Sequence, residues 1–129
     1  MCGRFLAKGR CRDITVIDMR PVAHWTDYMV VATAGSPDHV WRASRGMMYQ
    51  LKRWDAGVRW GDAFVDGGPG TDWVNIEFPG KAVVNVMEAE ARDYYDLESL
   101  WVDPDQGNIF EFRADPSAAR TYTLDELAA

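Results

Sequence analysis

The chain has 129 residues, of which 47% are hydrophobic and 26% charged. That is the size and balance of one ordinary globular domain, and it leaves no room for two full-sized ones. No apolar run approaches the roughly 20 residues that a membrane-spanning helix needs, which excludes a helical membrane span. Charge is uneven: residues 1–12 carry Arg4, Lys8, Arg10 and Arg12 with no acid, yet the net charge of the whole chain is −6. Phosphate contact needs clustered Lys and Arg, so so acidic a body is a poor general nucleic-acid binder and suits a basic partner.

In chain order, Asp13 to Met19 (DITVIDM) alternates polar and apolar residues, is rich in Ile and Val, and is predicted to be a strand ended by Pro21. A second strand is predicted over about Tyr28 to Thr33, nearly all apolar, as expected of a central strand buried on both faces. Ser36-Pro37-Asp38 then reads as a helix start, with Ser36 as N-cap, Pro37 in the first position and Asp38 against the positive end of the dipole. This helix is predicted to run to about Arg53, with Val40, Ser44, Met47, Leu51 and Trp54 on one face and Gly46 as an interior cost. Asp55 to Thr71 is rich in Gly and Asp and reads as loop, with a short extended piece at Ala63 to Val65.

A hairpin follows, WVNIEF (73–78) and KAVVNVM (81–87), joined by Pro79-Gly80 in the central positions of a type II turn. Glu88 to Trp101 is predicted to be one helix, with Tyr94, Leu97 and Trp101 along a single stripe. Beyond it Pro104, Pro116 and sparse apolar residues indicate an extended tail, with a capping box at Thr123–Glu126 opening one further helical turn. The domain plan is therefore a basic segment over 1–12, a domain over 13–101 and an extension over 102–129. Strand, strand, helix, strand, strand, helix makes a small mixed β-sheet flanked by helices, of α/β or α+β class.

Catalytic chemistry finds no assembled set. Cys2 and Cys11 are too few for a disulfide framework, and with His24 and His39 they match no zinc spacing, so two reduced thiols are expected. The loop DGGPG (66–70) lacks the Lys-Ser or Lys-Thr of a phosphate loop, Pro69 removes an amide donor, and a strand follows where a helix is needed. Gly35-Ser36 lies at a strand-to-helix turn, where a nucleotidyl transferase would need nearby acidic pairs to hold Mg2+. The only D-x-D, Asp103-Pro104-Asp105, is far downstream. His24 and His39 have no nucleophile placed beside them by the sequence. No catalytic residue, cofactor or metal ligand is expected. Six tryptophans are many for this length, and those outside the core are candidate interface anchors.

Four stretches together resemble the ribosomal silencing factor family, also called Iojap, with its mitochondrial relatives that assist large-subunit assembly. They are residues 13–40, FVDG (64–67), TDWVNIEFPGKAVVNVM (71–87) and EARDYYDLESLW (90–101). The most specific is the closing pattern of Arg92, Tyr95, Leu97, Glu98, Leu100 and Trp101. The chain departs from the family pattern in having only a dozen residues before Asp13, Asn85 where a His is usual, a longer loop before the hairpin, and about 28 residues after Trp101. The resemblance implies a nucleotidyltransferase-like fold without the catalytic residues. It also implies a non-catalytic factor that binds the large ribosomal subunit through large-subunit ribosomal protein fourteen and blocks joining of the small subunit, in assembly or in silencing. Other assembly factors are further expected partners, and neither sequence-specific RNA contact nor a membrane is expected. The acid-free start favours the mitochondrial matrix, with bacterial cytoplasm or plastid as alternatives. A small nucleotidyltransferase-type enzyme and a stably incorporated ribosomal subunit remain the competing readings.

The hairpin supplies the candidate surface. A two-residue turn would pair Glu77 with Ala82, Asn75 with Val84 and Trp73 with Val86. Trp73, Asn75, Glu77, Val84 and Val86 would then share one partner-binding face. Val74, Ile76, Phe78, Val83, Asn85 and Met87 would face the helices. A one-residue slip would exchange the faces of one strand relative to the other.

Overall fold

The computed structural model describes residues 6, 7, 9–54 and 63–112, and the side chains of these except residues 50–54, 111 and 112. The expected helical turn at Thr123–Leu127, and the side chains of Leu51 and Trp54, lie outside that set. The elements are β1 (Arg12–Asp18), β2 (Tyr28–Ala34), α1 (Pro37–Trp54), β3 (Phe64–Asp66), β4 (Trp73–Phe78), β5 (Ala82–Glu88), α2 (Ala89–Tyr95), α3 (Leu97–Trp101) and β6 (Ile109–Phe112). They build one six-stranded mixed sheet in the order β3-β4-β5-β2-β1-β6. Only β2 and β5 pair in parallel; the other neighbours are antiparallel. The mixed sheet with helices expected from the element order is the fold observed.

Both faces of the sheet are covered, and by different elements. Val16, Val30, Ala32, Val74, Ile76, Val84 and Val86 form a core beneath Val40, Ala43 and Met47 of α1. On the other face Ile17, Met29, Val31 and Met87 pack with Met19 and Ala91, and with the half-buried Leu97, Trp101 and Trp73. Burial on two faces explains why β2 reads as a continuous apolar run rather than an alternation. Ser36 caps α1 as its sequence indicates, its hydroxyl accepting from His39 N–H at 3.1 Å.

Three expectations are corrected. The helix expected over 88–101 breaks at Asp96, whose backbone is left-handed (φ 45°), so α2 and α3 are separate. The break takes Tyr94 out of the stripe: it is 83% exposed, while Leu97 and Trp101 pack on the sheet. Nor does the domain stop at Trp101. Ile109–Phe112 pairs with β1, and Phe110 packs against the α1-side core. Asn108 secures this return by donating to the carbonyls of Asp18 and Trp101 and accepting from Asp103 N–H. Two prolines and few apolar residues conceal a four-residue edge strand whose alignment is fixed by one asparagine. Residues before Asp13 also belong to the fold, since Leu6 is fully buried in the α1-side core.

The third correction concerns the hairpin register. Phe78–Lys81 does form the expected turn, with Gly80 at φ 74° and Lys81 N–H donating to the Phe78 carbonyl at 3.0 Å. The strands resume pairing at Phe78 and Ala82, which leaves Lys81 as an extra residue. A type II turn twists against a two-residue hairpin, and a bulged residue relieves the mismatch. Trp73 therefore pairs with Met87, Asn75 with Asn85 and Glu77 with Val83.

Candidate docking face

The register divides the five expected partner-binding residues. Trp73, Asn75 and Glu77 share the face that carries α2 and α3, and all three are half-buried. Val84 and Val86 have no exposed surface and lie beneath α1, so they are core residues and not part of any docking surface. The shift of one residue moved every β5 side chain to the opposite face while β4 kept its own.

Three further sets of residues complete the face. Phe64 pairs with Glu77 and Asp66 with Asn75, so β3 extends the strip to the sheet edge, with Phe64 64% exposed. Asn85, fully enclosed, accepts at its Oδ1 both the Trp73 indole N–H at 2.9 Å and the Asn75 amide at 2.7 Å. One oxygen thus fixes two surface side chains, and the buried amide acceptor is satisfied. Tyr95 lies against Trp73 with ring centroids 4.8 Å apart, and Tyr94 meets Tyr95 edge-on at 5.1 Å. None of Phe64, Asp66, Tyr94 and Tyr95 is among the residues that the sequence assigns to the partner-binding face. The adjoining tyrosines beside an acidic run, and the alternation of FVD opposite NIE, are the signals that carry them.

Arg92 holds α2 where it must be for Tyr95 to reach Trp73. Its guanidinium donates to Glu98 Oε1 at 2.7 Å, to the Thr33 and Thr15 hydroxyls at 2.8 and 3.0 Å, and to the Asp13 carbonyl. Asp13 stands at φ 49° beside a register shift in β1, which turns that carbonyl toward the helix. The surface around the strip is acidic: residues 64–98 hold eight Asp and Glu against Lys81 and Arg92.

Elsewhere, His39 has backbone partners at both ring nitrogens, Gly35 N–H at Nδ1 (2.9 Å) and the Gly9 carbonyl at Nε2 (2.6 Å). It ties the basic N-terminal segment to the start of α1. Burial pushes the Cys11 thiol up to about 12, so it stays protonated and unreactive at neutral pH. Among the described residues no three His, Cys, Asp or Glu converge as a metal site.

These features define a small mixed α/β domain that presents one acidic, aromatic end of its sheet. The family profile described as "Ribosomal silencing factor during starvation" matches residues 1–127, and the chain belongs to that family. It is 31% identical over 98 residues to "Protein Iojap-related, mitochondrial" of Arabidopsis thaliana, covering 76% of this chain and 53% of the plant protein. It is 31% identical over 100 residues to "Mitochondrial assembly of ribosomal large subunit protein 1" of Mus musculus, covering 74% of this chain but only 41% of the mouse protein. Against the "Ribosomal silencing factor RsfS" of Haemophilus influenzae the identity is 32% over 90 residues, with 69% and 82% covered. A crystal structure from Chromobacterium violaceum superposes with a TM-score of 0.69 at 31% identity, covering 80% of this chain and 83% of that one. One from Bacillus halodurans shares the fold, with a TM-score of 0.62 at 21% identity and coverage of 79% and 92%.

Proposed function

We propose that the chain is a non-catalytic factor that binds the large ribosomal subunit through large-subunit ribosomal protein fourteen and sterically blocks joining of the small subunit. The observation that carries this reading is the acidic strip of Phe64, Asp66, Trp73, Asn75 and Glu77, exposed on β3 and half-buried on β4, in a chain whose family is named for ribosomal silencing. Proteins that sit on ribosomal RNA are basic, and an acidic strip with a fixed indole at its centre offers them charge complementarity and an aromatic anchor. Binding then acts by mass action: a large subunit whose joining surface is occupied is withdrawn from the pool that can pair. Relatives with mitochondrial and with bacterial names support the mitochondrial matrix and the bacterial cytoplasm alike, with a plastid as the further alternative, and the same competition would operate in any of them.

Sucrose-gradient fractions probed for this chain test the reading. The expected result is cosedimentation with free large subunits or their precursors and absence from joined ribosomes. Equal abundance in the joined-ribosome peak would overturn it.

A further inference from the structure

The docking strip does not end at Trp73. Its indole is held by the enclosed Asn85, Tyr95 leans on the indole, and Tyr94 stands edge-on to Tyr95. The series runs from a buried amide to a ring that is 83% exposed. Each ring is braced by the one beneath it, and α2 is braced by the four contacts of Arg92, so the outermost rings are preorganised. Glu90 lies one helical turn before Tyr94, with Asp93 beside it and Asp96 at the break that ends the helix, all exposed. The one cation of α2, Arg92, is occupied by Glu98 and the sheet. A negative ring face among unneutralised carboxylates is a site for a cation and a poor site for a phosphate.

Building on the docking reading above, we propose that Tyr94 and Tyr95 form a shelf that receives an arginine or lysine side chain of a basic ribosomal protein. The cation would lie over the exposed ring and within reach of the Glu90 carboxylate. The shelf carries the contact from the hairpin onto α2, beyond the residues expected from the strands alone.

The test titrates purified, salt-washed large subunits with the wild-type chain and with Tyr94→Leu, Tyr94→Phe and Glu77→Lys. Melting and sedimentation of each chain alone are measured in parallel. Leu keeps most of the apolar area and removes the ring quadrupole; Phe keeps the ring. Tyr94→Leu is expected to weaken binding by roughly twofold to fivefold, Tyr94→Phe to bind as wild type, and both to melt as wild type. Wild-type affinity for Tyr94→Leu overturns the shelf. So does an equal loss in Tyr94→Phe, which would assign the effect to the hydroxyl, or an equal loss on protein-free ribosomal RNA, which would make the rings a base-stacking platform. A change confined to self-association of the chain would assign the face to a second copy and overturn it too. Glu77→Lys, at the rim of the strip and away from the rings, reports on the hairpin reading separately: its normal binding would refute that reading while a Tyr94→Leu loss still upheld the shelf.

Discussion

At the scale of single residues, two polar side chains do measurable work outside the docking strip. Asp18 receives the Arg20 guanidinium on both oxygens, at 2.9 and 2.7 Å, and these hydrogen bonds hold its carboxyl below the usual carboxylate range. A carboxyl lowered in this way adds stability above its ordinary range and loses it as pH falls through the lowered value. Asp18→Asn is therefore expected to reduce Tm at neutral pH and to converge on wild type in acid. The difference should be under about 1 kcal/mol, since Arg20 is solvent-exposed. A Tm gap that persisted in acid would contradict the assignment. Arg92 is the stronger case, because it is largely enclosed and its planar fork serves four acceptors at once. Lysine cannot reproduce that fork, so Arg92→Lys is expected to cost about 2–3 kcal/mol by urea unfolding. An unchanged midpoint would show that α2 is held by its apolar contacts alone.

At the scale of elements, α2 and α3 show why one helix in the sequence is two in the structure. The stripe of Tyr94, Leu97 and Trp101 is consistent with a single amphipathic helix, and nothing in its spacing marks Asp96 as left-handed. After the break only Leu97 and Trp101 face the sheet, where Trp101 also meets Trp25 edge-on at 5.5 Å. Trp101→Ala should accordingly cost about 2–3 kcal/mol, less than a fully buried Trp, whereas Tyr94→Ala should stay within about 0.5 kcal/mol. Thermal melting of both distinguishes this arrangement from an unbroken helix, in which both changes would be costly. Strands β1 to β5, α1 and its cap were legible because their patterns are local: alternation, an apolar run, Ser-Pro-Asp. The candidate docking face was half legible. Trp73, Asn75 and Glu77 follow from β4 alone, but assigning Val84 and Val86 required the loop length. The extra residue that a type II turn demands is a property of strand twist rather than of composition. Likewise β6 is marked by Asn108, whose partners lie at positions 18, 101 and 103 and cannot be read from its neighbours.

At the scale of the molecule, charge is segregated along the chain. Residues 1–54 hold nine Lys and Arg against four Asp, and residues 64–98 reverse that balance. On the proposed reading the acidic strip would be repelled by exposed ribosomal RNA and drawn to basic protein, so the field would orient the chain on a ribosomal surface before contact. Binding should therefore weaken as ionic strength rises. Trp73 is a poor single probe of the face, since it packs on the core and bonds to Asn85, and truncation would disturb both. Phe64 and Glu77 are better placed: they are cross-strand neighbours at the rim of the strip. The most direct measurement is the affinity of purified large subunits for the chain carrying Phe64→Ser and Glu77→Lys together, beside wild type and Arg45→Ala on α1. The double variant is expected to bind about tenfold or more weakly while melting within a few degrees of wild type, and Arg45→Ala to bind normally. An unchanged Kd for the double variant, or a loss in Arg45→Ala instead, would contradict the docking face.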